Sequence, residues 1–180
     1  MENFNVENGV LLRYVGNEEI VTIPEEVKEI ATGAFQSCQS IKKVIIPETV
    51  KKLNGGEFTN CLELEEVELP KNLKKIPGCM FTACRKLNKV IIPETVETID
   101  FNAFSGCFSL TSIKLPEKVK SIKSNAFMSC KNLTELVIPN KNAKMCGNAV
   151  AGCPSVKIFA PEGSPAEEIA FKKYLRFEKI

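Results

Sequence analysis

The stretch "GAFQSC" at residues 33–38 returns as "NAFSGC" at 102–107 and as "NAFMSC" at 125–130. Extending the comparison along the chain gives a single interval. The rings stand at Phe35, Phe58, Phe81, Phe104 and Phe127, with Val150 in the sixth place, and every step is 23 residues. Cys38, Cys61, Cys84, Cys107, Cys130 and Cys153 keep the same step of 23, as do Pro24, Pro47, Pro70, Pro93, Pro116 and Pro139. Three residue series locked to one period define a repeat array, in which each unit buries its apolar face only against its neighbours.

One unit runs from Pro47 to Leu69. The run "IIPETV" ends a short strand at Pro47, which has no N–H to give to a ladder and so suits a strand end. Val50 and Leu53 are three apart, Phe58 and Cys61 likewise, and Leu64 follows; this spacing predicts a helical or 3₁₀-like turn. Val67 and Leu69 alternate with Glu66 and Glu68, the period of a strand with one buried face. Nine residues after each proline stand Gly33, Gly56, Cys79, Asn102, Asn125 and Asn148. Gly and Asn tolerate a positive φ, so a tight turn is expected there, with Cys79 the odd member. At a strand spacing of about 4.8 Å the stacked units make a core about 24 Å long.

The pattern Val-x-Ile/Leu-Pro-x-x-Val-x-x-Ile, continued by Ala-Phe-x-x-Cys-x-x-Leu, resembles the BspA-like subclass of leucine-rich repeats over nearly the whole chain. The resemblance implies an α/β repeat fold, a curved right-handed solenoid of about six 23-residue units with a parallel sheet on its concave side. It also implies a protein-binding, adhesion-type role in a bacterial surface or secreted protein. The matched positions are packing positions, so it carries no catalytic residue to this chain.

Both ends read as covers, as exposed solenoid ends require. Phe4 and Val6 precede Asn8-Gly9, and Val10, Leu12 and Tyr14 follow, which predicts a hairpin. The family often opens with a similar segment, here "NGVLLRY". Towards the C-terminus the rhythm fails, with Asn142 in the place of an inward Val and Cys153 to Pro161 shortened to eight residues from nine. Ser164 as N-cap, Pro165 at the first helical position and Glu167 three after the cap predict a helix reaching Lys172-Lys173, and "LRFEKI" a last strand. The expected organisation is one domain over 1–180, with an N-terminal cap at 1–20, repeats at 21–160 and a C-terminal cap at 161–180. With a cap at each end the chain reads as one folding unit.

Composition narrows the function classes. The 180 residues carry 44% hydrophobic and 26% charged side chains, and 24 basic against 22 acidic groups leave a net charge of +2. Nucleic-acid binding needs a clustered basic surface, which this balance does not supply. No apolar run approaches the roughly 20 residues that span a bilayer, so no membrane insertion is expected. "MENFNVENGV" lacks the basic flank and apolar core of a secretory leader. The chain has no His, which removes the commonest general base and metal ligand.

The eight cysteines admit four readings. Disulfides between stacked equivalents would be strained, because parallel Cβ vectors keep those atoms about 4.8 Å apart where a bridge wants roughly 3.8 Å. Zinc sites need ligand pairs two to four apart, whereas here the closest pair is Cys79 and Cys84. A nucleophilic thiolate needs a base or a helix N-terminus beside it. The remaining reading is packing: Cys as a small, readily buried side chain under each turn. Cys79 and Cys146 lie outside the series and are the better candidates for exposed reactivity, with burial the default reading for them too. Six unpaired thiols fit a reducing compartment, against the surface setting that the resemblance implies.

Function then rests on exposed positions. Between the inward residues of the sheet run two columns, Thr22, Ile45, Glu68, Ile91, Lys114, Val137 and Ile20, Lys43, Glu66, Lys89, Ser112, Glu135. The first interleaves β-branched apolar residues with charges, and the second alternates in sign from Lys43 to Lys89. Such residues also suit any strand, and opposite charges on neighbouring strands relieve one another. As a strip they form a shallow surface for a protein partner. The acidic runs "EEVELP" and "PEEVKEI" read as solvated faces, Asn54-Gly55-Gly56 as a loop without a phosphate motif, and the basic tail Lys172, Lys173, Arg176, Lys179 as surface decoration. "NLT" at 132–134 fits a glycosylation acceptor, although Leu133 is expected in the core. The reading is a non-enzymatic, monomeric protein-interaction module without cofactor or metal. The alternatives are a structural spacer or self-associating segment of a surface protein, and an enzyme using Cys79 or Cys146.

Overall fold

The computed structural model describes residues 2–180. A hairpin opens the chain, β1 (Phe4–Glu7) and β2 (Val10–Tyr14). Asn8 and Gly9 connect them with φ of 50° and 77°, as the tight two-residue turn demands. The expected alternation Val10, Leu12, Tyr14 is not kept. A register shift between Asn5 and Val6 turns Leu11 and Tyr14 inward, and Leu12 is exposed.

Each following coil carries two short strands. In chain order these are β3 (Ile20–Thr22), β4 (Glu29–Ile30), β5 (Lys43–Ile45), β6 (Lys52–Leu53), β7 (Glu66–Glu68), β8 (Lys75–Ile76), β9 (Lys89–Val90) and β10 (Thr98–Ile99). The series continues with β11 (Ser112–Lys114), β12 (Ser121–Ile122), β13 (Glu135–Val137), β14 (Lys144–Met145) and β15 (Lys157–Ala160). Helix α1 (Pro165–Lys172) and strand β16 (Arg176–Lys179) end the chain. The result is a solenoid of about seven stacked turns with parallel ladders. Odd-numbered strands from β3, joined at the end by β16, build one face, and even-numbered strands from β2 to β14 a second. β2 is thus the first rung of the second face, pairing in parallel with β4.

The stretch expected to make a helical or 3₁₀-like turn contains this second ladder and then tight turns. Cys61 N–H donates to the Phe58 carbonyl and Leu64 N–H to that of Cys61, so the three-residue bonds form without running on into a helix. Gly33, Gly56, Cys79, Asn102 and Asn125 have positive φ as expected, and Asn148 does not. A second left-handed position follows each ring by two residues, at Ser37, Asn60, Ala83, Gly106, Ser129 and Gly152. Its mixed residue types concealed it.

Both faces are interrupted once. On the second face the ladder stops between β6 and β8. Ala31, Asp100, Lys123 and Cys146 each donate N–H to the preceding coil, and Asn54 reaches the Ile30 carbonyl with its side chain at 2.8 Å. Pro77 holds that place in the third coil and has no N–H to give. On the first face the ladder stops between β9 and β11.

The corner between the two faces is continuous. Phe35, Phe58, Phe81, Phe104 and Phe127 are fully buried, their rings stacked with centroids 5.0, 5.8, 5.3 and 5.3 Å apart in turn. Tyr14 extends the column at 5.2 Å from Phe35, and Phe4 lies over Tyr14. Each thiol donates to the carbonyl of the preceding coil's ring residue: Cys61 to Phe35, Cys84 to Phe58, Cys107 to Phe81, Cys130 to Phe104 and Cys153 to Phe127, at 3.0–3.3 Å. Packing therefore explains the recurrent sulfur, and a weak S–H donor is why it is Cys and not Ala. Cys38, on the first of these coils, is only half-buried.

Helix α1 has the expected start. Ser164 accepts from Glu167 N–H, Pro165 opens the helix, and Ala166 and Ala170 are buried. β16 then adds to β15 in parallel, with Arg176 opposite Lys157 and Phe177 opposite Ile158.

Candidate protein-binding face

The first face follows from simple alternation. Val21, Val44, Val67, Ile113, Leu136 and Ile158 point into the core, so their neighbours point out. The register places Thr22, Ile45 and Glu68 side by side, and likewise Ile20, Lys43, Glu66 and Lys89. Beyond the interruption Ser112 faces Glu135 and Lys114 faces Val137. The two expected columns thus exist as two segments, with Ile91 at the edge of the first and Lys114 at the edge of the second.

The charges of the first segment satisfy one another. Lys43 Nζ lies 3.2 Å from Glu66 and 2.5 Å from Glu68, and Lys89 Nζ lies 2.9 Å from the other Glu66 oxygen. The lysine hydrogen bonds, that of Lys89 foremost, hold the Glu66 carboxyl below its usual pKa. A partner meeting this network meets a nearly neutral surface. The apolar members differ in access. Ile45 and Val137 are half-buried, whereas Ile91 is 80% exposed.

Ile91 stands between two hollows. One, of about 230 Å³, is bounded by Val67, Leu69, Ile91 and Pro93, with Glu66 and Lys71 at its rim. The other, of about 620 Å³, lies across the interruption and is bounded by Val90, Ile92, Ser112, Lys114 and Pro116. Ile46 N–H donates to the Glu68 carbonyl and Leu115 N–H to that of Val137, whereas among the described residues Leu69 N–H makes no such bond to the Ile91 carbonyl. Among the described residues no such bond joins Ile92 to Lys114.

The face also continues past the residues picked out in the sequence. Lys157 and Phe159 stand opposite Glu135 and Val137, and Arg176 and Glu178 stand beyond them. Lys157 pairs with Glu178 at 2.9 Å and sits 5.4 Å from the Phe159 ring centre. The alternation Lys157-Ile158-Phe159 was the available signal. The shortened last interval moved it out of step with the period of 23.

Outside this face the chemistry is that of packing. Burial pushes the Cys61 thiol up to about 12 and raises Cys84 and Cys107 as well, which keeps these sulfurs protonated. Of the two thiols outside the series Cys146 is exposed, against the default expectation of burial, and Cys79 is half-buried. One buried carboxyl escaped sequence reasoning. Glu57 occupies the place held by Ala34, Ala103, Ala126 and Ala149 on other coils and is 0% exposed. Its Oε1 accepts from Gly55 N–H at 2.6 Å, its Oε2 has no partner among the described residues, and burial raises its pKa. Gly55 there has φ of 104°, and a Cβ on it would lie 2.7 Å from the Gly78 carbonyl oxygen.

Comparison with known proteins agrees with this geometry. No curated protein matches the chain. Among solved structures, a leucine-rich repeat protein from Bacteroides ovatus is 29% identical with a TM-score of 0.73, over 87% of this chain and 44% of its own. The T. pallidum leucine-rich repeat protein is 26% identical with a TM-score of 0.71, over 94% of this chain and 89% of its own. A leucine-rich cell surface protein from Faecalibacterium prausnitzii is 26% identical with a TM-score of 0.56, over 88% of this chain and 36% of its own. The chain thus spans less than half of the Bacteroides and Faecalibacterium proteins. The BspA type leucine rich repeat region model matches residues 13–107 and 52–175, and with ring, thiol and proline columns stacked in register the chain belongs to that family.

Proposed function

We propose that this chain is a protein-interaction module of an adhesion type, and that its first face is the binding surface. The observation that carries the reading is Ile91, a large apolar side chain 80% exposed between two hollows, beside charges that already neutralise one another. An apolar ridge flanked by a satisfied polar network is the make-up of an interface centre within a polar rim. Ile45, Glu68, Lys114 and Val137 supply the surroundings on either side of the ridge. Thr22, Ser112 and Glu135 supply hydrogen-bonding capacity at its margins. The name of the Faecalibacterium relative, a cell surface protein, fits an adhesive role. A spacer segment would have no use for Ile91 in the open.

The test uses the native protein as bait and then quantifies binding to the captured partner. Ile91→Asp is expected to weaken binding about tenfold or more, the cost of losing one central apolar anchor. Ile45, Ile91 and Val137 changed together to Lys are expected to abolish it while the thermal transition is retained. A captured partner that binds the folded triple variant as well as the parent overturns the assignment of this face.

A further inference from the structure

The sheet of the first face ends on β16, and among the described residues no strand lies beyond it. The register fixes which backbone groups face outward there. Ile180 N–H donates to the Ala160 carbonyl, so it points back towards β15. Backbone groups alternate in direction along a strand. Those of Arg176 and Glu178 therefore point back as well, and those of Phe177 and Lys179 point outward. The same end of the molecule carries an apolar patch. Phe171 is 64% exposed on α1, Tyr174 97% exposed in the turn that follows, and Ile180 57% exposed after β16. The Phe171 and Phe177 rings lie 5.9 Å apart. Helix α1 packs against β14, β15 and β16, so it closes the core and leaves the edge of the sheet bare.

Open edges are commonly blunted by charge or proline. The charges on β16 instead make the edge complementary to itself, because Arg176 and Glu178 flank Phe177 with opposite sign. Two antiparallel registers pair most of this strand with that of a second copy through the outward groups. Centred on Glu178, the two-fold sets that carboxylate opposite Glu178 of the partner subunit, with Cα atoms about 4.5 Å apart. Centred on Phe177, it sets Arg176 opposite the partner subunit's Glu178 and, by symmetry, Glu178 opposite the partner subunit's Arg176. The two Phe177 residues then exchange both N–H···O bonds. Like charges directly opposite destabilise and unlike charges stabilise, so charge selects the second register. Both groups have capacity left for it: Arg176 gives one N–H to the Ser155 carbonyl, and Lys157 takes one Glu178 oxygen and leaves the other. Head-to-tail pairing of β16 with β3 offers Arg176 and Glu178 only Ile20 and Thr22, and β1, which lies outside β2, stands in its way.

We propose that the chain forms a two-fold dimer in which β16 pairs antiparallel with β16 of a second copy, centred on Phe177. Caps at both ends suggested a monomer, but the C-terminal one covers the core and not the sheet. Phe171 and Phe177 of the two copies make one cluster of rings beneath the joined sheet, the apolar centre of an interface whose rim is the two Arg–Glu pairs. The first faces of both copies become a continuous surface with an Ile91 ridge on each half.

The experiment follows the mass of the full-length protein by sedimentation and light scattering over a range of concentrations. The expected result is a reversible monomer–dimer equilibrium. In the dimer, exchange of the Phe177 and Lys179 amides is slowed about tenfold or more, and that of Arg176 and Glu178 changes little. Arg176→Glu and Glu178→Arg each set like charges across the two-fold and should weaken association about tenfold or more. Both side chains are exposed, so the thermal transition should be retained. Two results belong to this register alone. The double variant Arg176→Glu/Glu178→Arg should dimerise as the parent does. The two single variants, mixed where each alone is monomeric, should form a heterodimer. Ile91→Asp should leave the dimer intact, which separates it from the binding role of the face. A protein still monomeric at about 1 mM, a double variant that stays dissociated, dissociation by Ile91→Asp, or species that grow beyond a dimer with concentration, the mark of head-to-tail stacking, would each overturn the proposal.

Discussion

The corner and the faces of this solenoid hold its coils together differently. At the corner every junction from Phe35 to Phe127 is made the same way, ring on ring, thiol to carbonyl and backbone N–H to the next coil, while Tyr14 extends the rings towards the hairpin and Val150 takes the place of the ring on the last coil. On the faces the ladders are two to four residues wide, and each stops once. The stretch from β8 to β9 is unpaired with its predecessor on one face and with its successor on the other. Yet its ring, Phe81, is fully buried and stacked on both sides. Cohesion along the axis therefore resides in the corner, and the sheets are free to vary. That division suits a binding scaffold, because the outward residues of a face can change without touching what joins the coils.

The sharpest way to break this comparison is to empty the corner. Phe81→Ala should cost about 3–5 kcal/mol, the range for a buried ring replaced by a cavity, read by chemical unfolding. A cost no greater than that of a surface change would show that the faces carry the stack after all. Removing one thiol is the next step down. Cys107→Ala should cost roughly 1–2 kcal/mol for lost burial and a vacated contact, and Cys107→Ser should not recover it, because a hydroxyl is harder to desolvate.

Glu57 tests the corner where it departs from its own rule. Burial raises its pKa, while Gly55 N–H and the charge of Lys75 favour the ionised form and recover only part of the shift. Between the ordinary carboxyl pKa, about 4.3, and the raised one, the folded state keeps a proton that the unfolded chain has released. Stability contributed by this group therefore falls as pH rises through that window. Glu57→Gln should be more stable than the parent at neutral pH, with the difference shrinking as pH falls towards about 4.3. Parallel stability profiles for the two proteins would mean that Glu57 finds compensation elsewhere. The smallest effect belongs to the exposed ion pairs between coils. Lys86→Ala, which removes the 2.5 Å contact with Glu63, should change stability by about 0.5 kcal/mol or less and respond to salt.

What was legible in the sequence is what repeats. The ring, thiol and proline columns, the Asn8-Gly9 hairpin and the Ser164-capped helix all have local chemical signatures, and the structure contains each of them. Lys52–Leu53 and its equivalents were not legible as strands, since two residues cannot display an alternation. Pro77 announces the gap between β6 and β8 through its missing N–H, but only once that ladder is known to exist. The gap between β9 and β11 has no such marker in the residues around Ile91. Glu57 was hidden by its neighbours, because an acid beside Gly55-Gly56 looks like a loop until its burial is seen. For the binding face, alternation placed the outward residues, and only the structure showed Ile91 standing apart from Ile45 and Val137.

The sulfur columns carry one more consequence. All eight cysteines are free, and five of the six columnar ones are buried with their protons directed at carbonyl oxygens. The coils are riveted by hydrogen bonds that an oxidant reaches only by first prising them apart, and that a reductant has nothing to cleave in. The scaffold is thus indifferent to redox potential. Transfer between glutathione and air leaves its architecture as it was, and Cys146, at the surface, is the sulfur that registers the change.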